Sequence, residues 1–250
     1  MLERDELTYI KNILKVSNQG GSLNFKLLDS IFTIFEHEPD CKEDIFDSYS
    51  ENQFKAKSLL INSLDKLDLL NKDTEVVIFG CWYGSILIPL LHDKVKHITC
   101  IDEDNHTISI ADNRLFDNHD KITWITGDVF AKYRDMFNTA DIFINTSCEH
   151  MLPMKWWGPK GPREIHNHFK EWDGKYHDDW PVYDTPWWSR VKPTAHFAFT
   201  SNNMIDIPGH TNCVNSIEEF KGQLPTEAKV LVESELKDER GTRYLLIGKL

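Results

Sequence analysis

Short apolar runs that end in glycine or polar residues recur through the middle of the chain. The first, 76–79, reads Val-Val-Ile-Phe, which is too short for a helix but suits a buried strand. Similar runs follow at 97–101, 121–126 and 141–144, and a helix is predicted in each interval, the first from 86, the second over 105–116 and the third over 128–137. Strands that alternate with helices are typical of a parallel sheet. The pattern therefore predicts four parallel strands with helices between them.

The residues before the first strand show helical spacing without any strand pattern. Three helices are predicted there, at 2–16, 23–38 and 52–70. The first should bury Leu7, Ile10 and Leu14 along one face. We expect these helices to form an N-terminal cap over residues 1–72, followed by an α/β domain over residues 73–250.

The C-terminal third predicts three more strands and one short helix. A strand is predicted at 194–200, a helix at 216–221, and strands at 228–236 and 242–250. The last two strands are joined by a short turn and must therefore pair in antiparallel fashion. The fold class predicted is α/β, with a mostly parallel sheet closed by an antiparallel C-terminal hairpin.

Polar residues and glycines follow each of the first four strands. The turn Gly80–Gly84 follows the first strand, and Asp102-Glu103-Asp104 the second. Gly127-Asp128-Val129 ends the third strand, and Asn145 opens the loop 145–150 after the fourth. Open α/β sheets bind ligands at the carboxyl ends of their strands. Asp102 also lies 22 positions after Gly80, where nucleoside-binding folds place the carboxylate that accepts the ribose hydroxyls.

With these motifs the chain resembles the class I S-adenosylmethionine-dependent methyltransferases, from about Gln53 to the C-terminus. The resemblance implies a Rossmann-like sheet of seven strands, S-adenosyl-L-methionine as cofactor, and transfer of its methyl group. The implied cofactor-binding residues are Gly80, Cys81, Trp82, Gly84, Asp102, Glu103, Asp128, Val129 and Asn145. Two positions depart from the family's loop: Ile78 replaces its acidic residue, and Trp82 replaces its middle glycine.

A narrower resemblance rests on two motifs taken together. Gly-x-Trp-Tyr-Gly at 80–84 and Asn-Thr-Ser-Cys-Glu-His-Met at 145–151 resemble phage-encoded methyltransferase-like proteins of unknown substrate. Glu149 and His150 follow strand four, where donor and acceptor should meet, and are the candidate catalytic residues. An imidazole titrates in the range useful for acid–base catalysis. The alternative is that both residues only cap a following helix.

The segment 151–192 differs in composition from the rest of the chain. It holds most of the tryptophans, at 156, 157, 172, 180, 187 and 188, and several prolines interrupt it. It is predicted to form a lid or substrate wall, with Ser147, Trp156 and Trp157 as candidate acceptor-binding residues. A packed elaboration or a dimer contact is the alternative. Histidines at 166, 168 and 177 fit no metal-site template, so no metal is predicted.

The overall charge restricts the class of acceptor. With 28 basic and 40 acidic residues the net charge is −12, which repels polyanions. A small molecule, a nucleotide or a protein is therefore the expected acceptor, and extended duplex nucleic acid is not. The five cysteines are scattered and suggest no disulfide framework. A charged N-terminus and the lack of a long apolar run predict a cytoplasmic protein without a membrane partner. The sequence leaves the oligomeric state open, and an oligomer is possible.

Two other functions fit the same pattern. The chain could be a non-catalytic structural or interaction protein that keeps the fold, which the departures at Ile78 and Trp82 favour. It could also be an enzyme that uses S-adenosylmethionine for a reaction other than methyl transfer.

Overall fold

The computed structural model describes residues 4–19, 24–117, 119–129, 138–156 and 187–250. These form two compact units, Met1–Gly127 and Asp128–Leu250. Most of the tryptophan-rich segment, from 157 to 186, lies outside the described residues, so the lid stays a prediction. Most of the helix predicted at 128–137 lies outside them as well. The predicted boundary between a cap and an α/β domain after residue 72 also stays a prediction.

Seven strands form one mixed sheet, which confirms the predicted fold class. They are β1 (Glu75–Phe79), β2 (His97–Asp102), β3 (Ile122–Thr126), β4 (Ile142–Asn145), β5 (His196–Asn202), β6 (Lys229–Lys237) and β7 (Thr242–Lys249). Their order is β3-β2-β1-β4-β5-β7-β6. The pairs β1–β2, β2–β3 and β4–β5 are parallel, whereas β5–β7 and β6–β7 are antiparallel. The C-terminal hairpin is therefore antiparallel, as its short turn predicts.

Six α-helices and the 3-10 helix Pro39–Cys41 lie in the described part of the first unit. The α-helices are α1 (Arg4–Gln19), α2 (Asn24–His37), α3 (Lys42–Ser48), α4 (Glu51–Lys66), α5 (Leu87–His92) and α6 (Asn105–Ile110). A π-helical segment, Ala111–Leu115, continues α6. Pro89 is tolerated in α5 because it occupies the first turn, where a backbone N–H has no partner within the helix.

Helix α1 turns a different face inward from the one the sequence predicts. Leu7 and Leu14 are 54% and 51% exposed, whereas Ile13 and Val16 are buried. Asn12 is buried beside them, and its amide donates to the carbonyl oxygen of Tyr49 across 3.0 Å. A buried amide needs such a partner, so this contact fixes the rotation of the helix. The predicted buried face was wrong.

The second unit is built around β5, which lies between β4 and β7. Phe197 and Phe199 of β5 are buried, and β7 is buried along almost its whole length. Edge strand β6 alternates exposed and half-buried residues, as its sequence predicts. A short helix, α7 (Ile217–Lys221), begins at Ser216, whose hydroxyl accepts from the backbone N–H of Glu219.

No helix in the described ranges is long and apolar enough to cross a membrane.

Candidate functional site

The turn after β1 is built from residues with positive φ angles. Gly80, Trp82 and Gly84 have φ values of 56°, 49° and 63°. At Gly84 a Cβ atom would also collide with the side chain of Ile88. The turn is anchored to β2, because the N–H of Cys81 donates to the carbonyl oxygen of Ile101 across 3.2 Å. The backbone path therefore favours glycine at 80 and 84, and at 84 the packing of Ile88 favours it as well.

Trp82 keeps the left-handed conformation without being glycine, which ordinarily costs free energy. Its N–H donates to Oδ2 of Asp102 across 2.7 Å. A hydrogen bond to a carboxylate is stronger than one between neutral groups, so it offsets part of this cost. The replacement of the family's middle glycine by Trp82 is thus accommodated by the acid that follows β2. Sequence reasoning did not foresee this contact.

The three acidic residues at the end of β2 and directly after it have separate roles. Asp102 is half-buried, and Asp104 N–H donates to its Oδ1 across 3.1 Å. Burial raises the pKa of Asp102, and the N–H groups of Asp104 and Trp82 oppose the rise. Glu103 is exposed. Asp104 instead begins α6, accepting hydrogen bonds from the N–H of His106 and the N–H and hydroxyl of Thr107.

A pair of buried hydroxyl groups connects α3 with the residue that follows Gly84. Ser48 Oγ lies 2.8 Å from Ser85 Oγ and 2.7 Å from the carbonyl oxygen of Ile45. Both serines are buried. The thiol of Cys81 is also buried, which raises its pKa well above the usual value and makes it a poor nucleophile. In the first unit, an N-terminal helix thus supports the predicted cofactor turn directly.

The remaining predicted cofactor residues belong to the second unit. Asp128 is half-buried and Val129 is buried. Asn145, at the end of β4, is fully buried, and its Oδ1 accepts from the N–H of Ser147 across 2.8 Å. Its Nδ2 lies 3.1 Å from Sδ of Met151. The side chain of Asn145 therefore organises the loop that follows it.

The predicted acceptor-binding residues are only partly described. Ser147 is half-buried. The backbone of Trp156 closes the 3-10 turn Met154–Trp156, and Trp157 lies outside the described residues. The N–H and the ammonium group of Lys155 donate to the carbonyl oxygens of Gln223 and Gly222. The described start of the tryptophan-rich segment is therefore attached to the body of the second unit.

Glu149 is 4% exposed and lies inside the 3-10 turn Cys148–His150, which leads into extended backbone. Glu149 therefore does not cap a helix in this part of the chain. Asn202 Nδ2 donates to Oε1 of Glu149 across 2.6 Å. The amide of Asn202 is oriented by Met204, whose N–H donates to its Oδ1 across 2.9 Å. The main-chain oxygen of Glu149 accepts from Thr211 and Asn212.

Two histidine rings lie beside this carboxylate. His150 and His210 are in edge-to-face contact, with ring centroids 4.6 Å apart. His150 Nδ1 lies 3.0 Å from the carbonyl oxygen of Gly209. Burial and the neighbouring His150 lower the pKa of His210 to about 4, so its imidazole is neutral at pH 7. One ligand atom from each of Glu149, His150 and His210 lies within 4.8 Å of the others.

A separate groove of about 510 Å³ lies in the first unit, between α2 and the segment after α6. Its lining carries both signs of charge, and Arg114 there is paired with Glu38 at 2.7 Å. None of the residues predicted to bind cofactor or acceptor lines it.

Comparison with known proteins gives matches in structure alone. No family model matches the chain, and no curated protein sequence matches it. The fold is similar to that of the N-methyltransferase NodS from Bradyrhizobium japonicum WM9, with a TM-score of 0.51 and 15% identity. That match covers 80% of this chain and 97% of NodS.

A second similar structure is magnesium protoporphyrin IX methyltransferase, ChlM, from Synechocystis PCC 6803 with bound S-adenosylhomocysteine. Its TM-score is 0.52 at 12% identity, over 83% of this chain and 85% of ChlM. At these identities the likeness establishes the fold, a Rossmann-like methyltransferase fold, and nothing finer. Neither match supports the narrower resemblance to phage-encoded proteins, which stays a prediction.

Proposed function

We propose that this chain is an S-adenosyl-L-methionine-dependent methyltransferase. The observation that carries the proposal is the turn Gly80–Gly84, with its backbone held in left-handed conformations beside the carboxylate of Asp102. A turn of this kind lets a nucleoside approach the backbone, and a carboxylate at the end of the second strand suits ribose hydroxyls. The bound S-adenosylhomocysteine in ChlM, which shares the fold, supports the same cofactor.

The residues of the turn fit the adenosine half of the cofactor. Gly84 is buried, and a Cβ there would meet the side chain of Ile88, so glycine lets the turn pack closely against the helix that follows. The carboxylate of Asp102 accepts hydrogen bonds from the backbone N–H groups of Trp82 and Asp104, and an ionised carboxylate offers about four acceptor positions in all. Gly80, Cys81, Trp82 and Gly84 would form the cradle, and Asp102 would accept the ribose hydroxyls. When bound, the cofactor supplies an electrophilic methyl group on its sulfonium.

The other cofactor-binding residues are proposed from their position at the ends of strands. Glu103, Asp128, Val129 and Asn145 keep the roles that the family resemblance implies. Glu103 is the weakest of these candidates because it is exposed, whereas Asp102 is the acid that contacts the turn. The acidic residue of the usual loop is replaced by the buried Ile78, so the methionine end must be held by other groups.

Glu149 and His150 are proposed to bind or activate the methyl acceptor. Methyl transfer mainly requires alignment of donor and acceptor, and a base only where the acceptor must lose a proton. Glu149 is held in place by Asn202, and His150 is exposed beside it. Ser147, Trp156 and Trp157 complete the proposed acceptor side. With a net charge of −12, a small molecule, a nucleotide or a protein remains the proposed acceptor class.

The test is calorimetric titration with S-adenosylmethionine and S-adenosylhomocysteine. We expect saturable one-to-one binding of both. Glu149→Gln and His150→Gln should keep that affinity, and once an acceptor is found they should lower turnover by about 100-fold or more if one is a general base. Absence of binding to either compound would favour the non-catalytic alternative. Binding followed by breakdown of the cofactor without a methylated product would indicate an enzyme that uses S-adenosylmethionine for a reaction other than methyl transfer.

A further inference from the structure

We propose that Glu149, His150 and His210 form a binding site for a divalent transition-metal ion of the Zn²⁺ class. The observation is the convergence of one carboxylate and two imidazoles, whose ligand atoms lie within 4.8 Å of one another. Two histidines and a carboxylate form a familiar ligand set for such ions. This revises the expectation from sequence that the chain holds no metal.

The supporting hydrogen bonds are those that a metal site requires. Ligating histidines commonly donate their other ring N–H to a carbonyl or carboxylate, which fixes the tautomer. His150 Nδ1 lies 3.0 Å from the carbonyl oxygen of Gly209, so Nδ1 carries the proton and Nε2 carries the lone pair. The carboxylate has its own support, because the amide of Asn202 holds Oε1 of Glu149.

The backbone around the cluster is also fixed from both sides. Thr211 and Asn212, which follow His210, donate their N–H groups to the main-chain oxygen of Glu149 across 2.9 and 2.8 Å. The side chain of Asn212 donates to the carbonyl oxygen of Cys148 across 3.2 Å. The loop that carries His210 is therefore tied to the turn that carries Glu149. The cluster does not depend on a chance approach of surface side chains.

Coordination needs only a small contraction of this arrangement. Tetrahedral coordination at about 2.1 Å places ligand atoms roughly 3.4 Å apart. The exposed side chain of His150 can shift together with the Gly209 carbonyl that it contacts, whereas Glu149 is buried and held by Asn202. Arg243 opposes a cation near His210, but it lies 3.8 Å from the carboxylate of Asp238, which offsets its charge.

A three-ligand site leaves positions for water or an acceptor oxygen, nitrogen or sulfur. A bound cation lowers the pKa of such a group and so favours its deprotonated, nucleophilic form. This role rests on the proposed function, because Glu149 and His150 are the residues assigned there to the acceptor. Binding of the ion itself does not rest on it.

The test is a titration of the chain, prepared without a histidine tag, with Co²⁺ followed by its visible absorption, and with Zn²⁺ against a chromogenic chelator. The unaltered chain should bind one ion. His210→Ala and His150→Ala should each weaken binding by about 100-fold or more, since loss of supporting groups alone costs about 10–100-fold. The matched control is His37→Ala, because exposed His37 also places Nδ1 near a backbone carbonyl, that of Thr33, at 2.8 Å.

Equal affinity in the unaltered chain and in both cluster variants would overturn the proposal, as would an equal loss in His37→Ala. If circular dichroism shows that His210→Ala is unfolded, the exposed His150→Ala decides alone. Titration of the same proteins with S-adenosylmethionine separates the two proposals. Metal-site variants should keep that affinity, and Asp102→Ala should keep its affinity for Zn²⁺.

Discussion

The backbone N–H of Trp82 donates a hydrogen bond to Oδ2 of Asp102 across 2.7 Å. Trp82 is the residue that departs from the glycine pattern of similar loops, and Asp102 is the acid that the family resemblance assigns to the ribose. One carboxylate therefore stabilises the unusual turn at the position where the proposed function places the ribose. The departure at Trp82 is accommodated within the turn itself.

The first prediction concerns the choice between the two neighbouring acids. Asp102→Ala should weaken binding of S-adenosylmethionine by about 1.5–3 kcal/mol, or roughly 10- to 150-fold, because charge-assisted hydrogen bonds are lost. Glu103→Ala should have little effect, because Glu103 is exposed and Asp102 contacts the turn. Calorimetry on both variants checks this. If Glu103→Ala lost more affinity than Asp102→Ala, Glu103 and not Asp102 would be the acid that binds the ribose.

The second prediction is a pH dependence of stability that comes from Asp102. Burial raises the pKa of its carboxyl in the folded chain, so the folded state holds this proton more tightly than the unfolded state. The corresponding stability is present below the ordinary pKa of about 3.9 and is lost as the pH rises through the raised pKa. The unfolding free energy of the unaltered chain, relative to Asp102→Asn, should therefore fall across that window.

Denaturant unfolding of both proteins between pH 3 and 7 measures this difference directly. Carboxyl groups remote from Asp102 titrate alike in both proteins and cancel in the comparison, whereas neighbouring Asp104 interacts with Asp102 and contributes to the difference. A difference that rises with pH would mean that the N–H groups of Trp82 and Asp104 outweigh burial.

The third prediction tests the packing of Gly84 against Ile88. Gly84→Ala should destabilise the chain by about 2–4 kcal/mol, because alanine is strained at a φ of 63° and its Cβ meets the Ile88 side chain. Ile88→Val alone should cost about 0.5–1.5 kcal/mol. The double variant should be destabilised by less than the sum of the two single costs, because Ile88→Val removes the Cδ1 methyl group with which the new Cβ collides. Strictly additive values would place the whole effect in the backbone.

The fourth prediction separates core from lid at the described end of the tryptophan-rich segment. Trp187 is 4% exposed and packs edge-on against Phe143 of β4, with ring centroids 5.5 Å apart. Trp187→Ala should cost about 3–5 kcal/mol of unfolding free energy, as for other buried aromatic residues. Trp188→Ala, at a half-buried position, should cost well under half as much. Similar losses in both would assign them the same environment.

The strands were predictable because their signals are local. β1 and β4 are short apolar runs closed by glycine or polar residues, which is typical of buried parallel strands. β2 and β3 mix apolar residues with threonine and also end in polar residues. The face of α1 was not predictable, because apolar residues occur on more than one side of it. Its rotation depends on Asn12 finding the carbonyl oxygen of Tyr49, a partner that lies 37 residues away.

The cluster around Glu149 was only half predictable for a similar reason. Glu149 and His150 follow a recognisable strand, and that position singled them out. His210 is 60 residues further along and reaches them only because β5 pairs with β4 and its loop bonds back to Glu149. No spacing rule joins residues so far apart. The signal available in sequence was the polar end of the fifth strand followed by a histidine.

Strand β7 occupies an interior position in the sheet although β5 and β6 both precede it in the chain. During synthesis on the ribosome, β6 therefore emerges before the strand that pairs with it. Until residues 242–249 are made, its backbone groups are open to solvent and to other nascent chains. Charged residues alternate along β6, among them Glu233, Glu235 and Lys237. These charges disfavour pairing of the exposed strand with another chain before β7 is available.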